Sequence, residues 1–166
     1  MVIVPDTCLG SSKQMNSSNI TTGGYTGSEM YTTNLDDAKT LINNAFGSAH
    51  ILNHRQYLTT TVANGRPSAG SWFDSTVELM TEQNVYGGKV FAPTSDGSTV
   101  PTVHTVDKSQ FPLFALEPSR ITNRATYWLR DVVSADYFAD VTAGGTADYS
   151  AASHSYGVRP AFSIKS

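Results

Sequence analysis

"FADVTAGGTADYSAASHSYGVRPAF", residues 138–162, sets the frame for the whole chain. Its end, Tyr156-Gly157-Val158-Arg159-Pro160-Ala161-Phe162, is specific; the part before it holds only small and polar residues, with scattered aromatics. Taking Ala143-Gly144-Gly145 as a three-residue hairpin loop gives a glycine the positive φ such loops need. Thr142 then faces Thr146, Val141 faces Ala147, Asp140 faces Asp148 and Ala139 faces Tyr149. Every pair matches in character, with Ala139, Val141, Ala147 and Tyr149 on one face and the Thr and Asp pairs on the other. A two-residue Gly-Gly loop would set Val141 against Asp148. The preferred register opposes two aspartates, which repel, so stability does not explain that pair.

Working outward, 166 residues suit one domain with a real core. Charge is sparse and Gly, Ser, Thr and Asn are plentiful, which predicts a loop-rich α+β or all-β domain. A net charge of −3 with scattered Lys and Arg argues against a nucleic-acid partner. The single cysteine, Cys8, excludes an internal disulfide and a cysteine metal cluster, and reads as a plain small residue. The opening "MVIVPDTCLG" has no basic region and too short an apolar run for a signal peptide or membrane span, so the expectation is a chain made in the cytoplasm, or a fragment, with no membrane insertion.

Residues 1–33 read as an extended N-terminal arm or linker, poor in core candidates. Residues 34–166 read as the domain, with a permissive segment at 134–157. Asn34 as cap, Asp36 and Asp37 in the first turn, and Leu35, Ala38, Leu41, Ile42 and Ala45 on one face predict a helix ending at Phe46-Gly47. Ile51-Leu52 reads as a short strand and residues 53–62 as a second helix on a Tyr57, Leu58, Val62 face. Thr81 is the expected cap of a further helix that Gly87-Gly88 stops. "KVFAP" (89–93) and "FPLFAL" (111–116) read as short strands, and "TYWLRDVV" (126–133) as a central strand.

Few motifs carry chemistry. His50 and His54 have i, i+4 spacing but lack the glutamate and third ligand of a zinc site, and His104 and His154 stand apart. Glu117-Pro118 begins like a calcium-dependent sugar site, but Ser119 follows and no partner motif appears. Asp136, Asp140 and Asp148 lack the spacing of a calcium loop. Arg130 and Arg159, inside apolar sequence, read as buried arginines bonded to carbonyls or to Asp131. Neither phosphate-loop glycines nor a Gly-x-Ser-x-Gly elbow is present. These residues predict no catalytic group, no metal and no cofactor.

Three ordered pieces carry a resemblance: "ELMTE" (78–82), "YWLRD" (127–131) and "GVRPAF" (157–162). Together they resemble the C-type-lectin-like fold shared by formylglycine-generating enzymes and the variable proteins of diversity-generating retroelements. The Trp-Leu-Arg … Gly-Val-Arg-Pro-Ala pattern, like "NITTGGYTGSEMYTTNLDDAKTLINNAFG" (19–47), looks most like tail-associated receptor-binding proteins of bacteriophages and prophages. The resemblance implies two or three short helices on a small antiparallel sheet, with Trp128, Arg130, Gly157, Arg159 and Pro160 as scaffold. The enzymes use a cysteine pair near the C-terminal end; this chain has only Cys8.

In the retroelement proteins, rewriting the adenines of Asn codons reaches Asp, Tyr, His, Ser, Thr, Ala and Gly. It never reaches Lys, Glu, Gln, Met or Trp. Those five are absent between Ser134 and Gly157, where average composition predicts about three. The resemblance thus implies a varied ligand-binding set of Asp136, Tyr137, Asp140, Thr142, Ala143, Gly144, Thr146, Asp148, Ser150, Ala151, His154 and Tyr156. It also implies a fixed set of Phe138, Val141, Gly145, Ala147, Tyr149, Ala152, Ser153, Ser155 and Gly157. A Tyr, Ser, Gly and Asp surface works as antibody loops do. The expected protein is a homo-oligomer, a trimer, in a phage or prophage tail virion, whose partner is a host cell-surface protein or glycan. Two alternatives stand beside it: a non-diversified structural tail domain, and a formylglycine-generating-type oxidase.

Overall fold

The structure is a computed structural model that describes residues 1–93 and 110–165. His104 lies outside the described residues. The described part is a mixed α+β assembly of short helices and three small antiparallel sheets. The first sheet has the order β1-β8-β4, formed by Val2–Ile3 (β1), Pro160–Ser163 (β8) and Val77–Leu79 (β4). The second is the hairpin of His54–Ala63 (β2) and Arg66–Ser75 (β3). The third has the order β5-β6-β7, from Tyr127–Val132 (β5), Tyr137–Val141 (β6) and Ala147–Ala151 (β7).

The helix at Asp36–Phe46 (α1) forms where its periodicity predicts, and Gly47, at φ 79°, ends it. Asn34 is not its cap. A wide turn at Met30–Asn34 runs straight into α1, Leu35 takes the cap position, and the Asn34 amide instead donates to the Gln14 carbonyl at 2.9 Å. Only Leu35, Ala38 and Ile42 face the core, while Leu41 and Ala45 are exposed.

Residues 53–62 do not form a helix. The Thr59-Thr60-Thr61-Val62 run favours extended backbone, and Asn64-Gly65 closes a two-residue hairpin with Ala63 opposite Arg66. Both turn residues have positive φ, 52° and 69°, as a type I′ turn requires. Tyr57 faces Trp72 across the strands with rings 5.3 Å apart. Ile51 forms only a single bridge, to Ile164.

Thr81 caps Glu82–Tyr86 (α2) through a reciprocal pair with Asn84, and Gly87 stops it in the left-handed region, both as the sequence predicts. "FPLFAL" is a helix, Pro112–Leu116 (α3), because proline at its first turn is preset for helical backbone. "KVFAP" is not a strand; its backbone wraps the buried Glu82 carboxylate, which accepts the amides of Val90, Phe91 and Ala92 at 2.9–3.2 Å.

The N-terminal residues are not a detached arm. β1 pairs with β8, and Met15, Tyr25 and Met30 are fully buried in one cluster with Trp128 and Phe138. Tyr25, Tyr31 and Phe73 pack edge to face, tying this segment to β3. Low hydrophobic density hid the contribution: three large side chains suffice when the rest of the segment is turn.

β5 divides the core. Trp128 and Val132 join the cluster on one side, Tyr127 and Leu129 that on the other. It is last in its sheet, yet its free edge is occupied: the Trp128 amide donates to the Gly157 carbonyl at 3.1 Å, and Arg130 N donates to Met80 O at 2.9 Å. A strand buried on both faces reads as continuous apolar sequence.

Candidate functional site

The hairpin of β6 and β7 has the register its residues dictate. Ala139 pairs with Tyr149, Asp140 with Asp148 and Val141 with Ala147. Thr142 N donates to Thr146 O at 2.9 Å, and the two hydroxyls meet at 2.7 Å. Gly145 takes φ 89°. The loop tip is anchored, since Tyr86 OH donates to Gly145 O at 3.1 Å and Thr122 Oγ1 to Gly144 O at 3.2 Å.

Asp136, Tyr137, Ala143, Gly144, Thr146, Asp148 and His154 are exposed, and Thr142, Ser150, Ala151 and Tyr156 are half-buried. Asp140 departs from the expectation of a free surface carboxylate, being only 1% exposed. It sits on the central strand, whose neighbours β5 and β7 screen both its edges. Burial first, and then Asp148 opposite, raise its pKa to about 6, against the opposing pull of a Ser150 hydrogen bond and His154. Oδ2 of Asp140 has no hydrogen-bond partner.

Around it lies a small polar array. Tyr156 OH is 3.2 Å from Ser150 Oγ and 3.2 Å from His154 Nδ1. The Tyr156 ring packs on Trp128 at 4.9 Å, and Trp128 Nε1 donates to the Lys13 carbonyl at 2.8 Å. Tyr156 thus links the buried scaffold to the surface.

The opposite face of the hairpin carries what sequence reading missed. Tyr149, read as a fixed residue on the face of Ala139 and Val141, is 42% exposed on β7, the edge strand of its sheet. Its ring meets Tyr137 at 5.5 Å and Phe91 at 5.0 Å, both edge to face. Phe91 reaches it because the Glu82 carboxylate folds the 90–92 backbone around itself. Three partly exposed aromatics, two on the anchored hairpin and Phe91 packed against them, form a contact surface. No signal in the sequence marked this surface, because the burial of Glu82 that organises the 90–92 backbone arises only in the folded chain.

The scaffold residues are buried. The Arg159 guanidinium donates to Pro5 O and Arg120 O, both at 2.9 Å, and to Ile121 O at 3.3 Å. It also lies over the Phe114 and Tyr127 rings. A Cβ on Gly157 would overlap the Cys8 sulfur. Pro160, buried, pairs opposite Leu79 at the start of β8. Arg130, 4% exposed, stands on β5 beside a separate cavity. Among the described residues, no group of three His, Cys, Asp or Glu side chains could hold a metal ion, and no helix is long and apolar enough to cross a membrane.

The described molecule is thus a small α+β domain presenting an anchored, aromatic-edged hairpin. The chain belongs to the family described as Domain of unknown function (DUF6273), whose model matches residues 54–166. No curated protein and no solved structure matches it. The matched region contains the hairpin and its anchors, while β1, α1 and the buried Met15, Tyr25 and Met30 precede it.

Proposed function

We propose that this chain is a ligand-binding domain of C-type-lectin-like architecture, not an enzyme, that recognises a host cell-surface protein or glycan from a phage or prophage tail. The observation that carries the reading is the hairpin's division of labour. Phe138, Ala139 and Val141 are fully buried, while Tyr137, Ala143, Gly144, Thr146, Asp148 and Tyr149 are exposed around them. Such a surface can change its side chains without touching the core. The C-terminal strand lies between β1 and β4, in keeping with the closing role that the resemblance gives it. Tyrosines give rigid contact area at low entropic cost, and the small residues between them leave room for a partner.

On this reading the varied set loses Asp140, which is buried, and gains Tyr149. Deep sequencing of the coding region across a population tests diversification. Substitutions at adenine-derived positions of Asp136, Tyr137, Thr146, Asp148, Tyr149 and His154, sparing Phe138, Ala139 and Val141, are expected. An invariant segment would leave a non-diversified structural tail domain.

A further inference from the structure

The β2–β3 hairpin is a two-stranded sheet of its own, and its two faces differ. On one face, before the bulge at Thr59–Thr61, Gln56 stands opposite Phe73. Gln56 is buried, and Phe73 packs against Tyr25 and Tyr31. The other face carries Arg55 opposite Asp74, Tyr57 opposite Trp72 and Thr59 opposite Gly70. Arg55 and Asp74 are exposed and Trp72 is 39% exposed, so this face looks to solvent. Two strands alone are marginally stable in water and gain from every face that is packed.

The outward side chains are already organised. The Tyr57 ring lies close over Gly70, where a Cβ would come within 2.5 Å of it. Trp72 stands against that ring at 77°, with centroids 5.3 Å apart. The Arg55 guanidinium lies over the Trp72 ring, 5.3 Å from its centroid, rather than on the carboxylate of Asp74 opposite. Neither Arg55 nor Asp74 is in an ion pair with a described residue.

An exposed cation beside an exposed anion, next to two aromatics, makes a face that complements itself. Consider a second copy turned about a two-fold axis running along the strands, so that β2 of each copy lies over β3 of the other. Arg55 then faces Asp74, Tyr57 faces Trp72 and Thr59 faces Gly70, each pair occurring twice, as an isologous contact requires. A two-fold axis across the strands at Tyr57–Trp72 would set Arg55 over Thr59 and leave both charges unmatched. Sheets stacked face to face lie about 10 Å apart, a gap that an arginine and an aspartate side chain span between them.

We propose that this face pairs two copies of the chain, with Trp72 at the centre of the contact and the two Arg55–Asp74 pairs at its end. Tryptophan and arginine are the side chains that carry most of the energy in such contacts, and glycine opposite Thr59 lets the backbones approach. The surface lies on a different hairpin from β6–β7 and does not depend on the ligand-binding reading.

Analytical ultracentrifugation of the whole chain, from low to high micromolar concentration, tests the pairing. A reversible monomer–dimer equilibrium is expected, with Trp72 emission shifting to the blue as concentration rises. Trp72→Ala should weaken association about tenfold or more. Arg55→Asp and Asp74→Arg should each do the same, because each sets like charges across the contact. Mixing these two variants should restore a dimer, since every charge then meets its opposite, and no repair within one hairpin can produce that rescue. Thr59→Arg, which props the faces apart over Gly70 and keeps both charges, should also give monomers; it decides the matter if a charge variant does not fold. A wild type that stays monomeric, a trimer, or association undiminished in Trp72→Ala and Thr59→Arg overturns the proposal and leaves the face to a different partner. A mixture of the two folded charge variants that remains monomeric overturns it as well.

Discussion

Asp140 and Asp148 stand directly opposite one another on β6 and β7, one buried and the other exposed. Cross-strand pairs this close repel when both are charged, and the structure keeps them without a bonding partner for Asp140 Oδ2. The pair is a site where the fold gives up stability.

A raised carboxyl pKa means that the native state holds its proton more tightly than the unfolded chain. The stabilisation is full below the unfolded value near 4 and is lost as pH rises through about 6. Asp140→Asn should therefore stabilise the protein at pH 7.5 by about 1–2 kcal/mol and flatten the loss between pH 4 and 7. Urea denaturation at several pH values measures both. Asp131 and Glu78 are raised too, to about 6 and about 7, so a residual slope of the same sign remains.

The two loop glycines should behave differently. Gly145 has φ 89°, and a Cβ there would lie 2.6 Å from Thr122 Oγ1. Gly144 would meet only Thr142 Oγ1, at 3.9 Å. Gly145→Ala should cost about 1–2 kcal/mol, and Gly144→Ala less than about 0.5 kcal/mol. Thermal melts of the two variants give the comparison directly; equal losses would contradict the anchored-loop geometry.

Arg159→Lys keeps the charge but loses the fork that reaches carbonyls of two separate segments. A cost of about 2–4 kcal/mol is expected, because freed buried carbonyls are left unpaired. For a chain of this size that lowers Tm by roughly 5–15 °C.

Tyr149 is the middle ring of the exposed aromatic line. Tyr149→Ala should change stability by less than about 1 kcal/mol, while on the proposed host-surface function binding of labelled protein to host cells falls about tenfold or more. Unchanged binding would move the recognition surface to the Asp148, His154 and Tyr156 side of the hairpin.

Much of the domain is legible locally. The hairpin register follows from matched pairs around one glycine, α1 from its spacing, and α2 from a cap and a stop six residues apart. Arg159 is marked as buried by its apolar neighbours. The β2 strand was also written locally, in a β-branched run before Asn64-Gly65, but a competing helical face at Tyr57, Leu58 and Val62 obscured it.

What tertiary structure alone decided is exposure. Alternation assigns Asp140 and Tyr149 to opposite faces, yet it cannot say which strand is central and which is an edge. That depends on β5, on the packing of Trp128 against Tyr156, and on Phe91 carried in by the Glu82 carboxylate. The burial of Met15, Tyr25 and Met30, and the meeting of His54, Glu78, Asn84 and Arg130 at one cavity, arise in the same way. Local sequence sets where a side chain points, because backbone periodicity is short-ranged; whether water or protein waits there is set by residues far away in the chain.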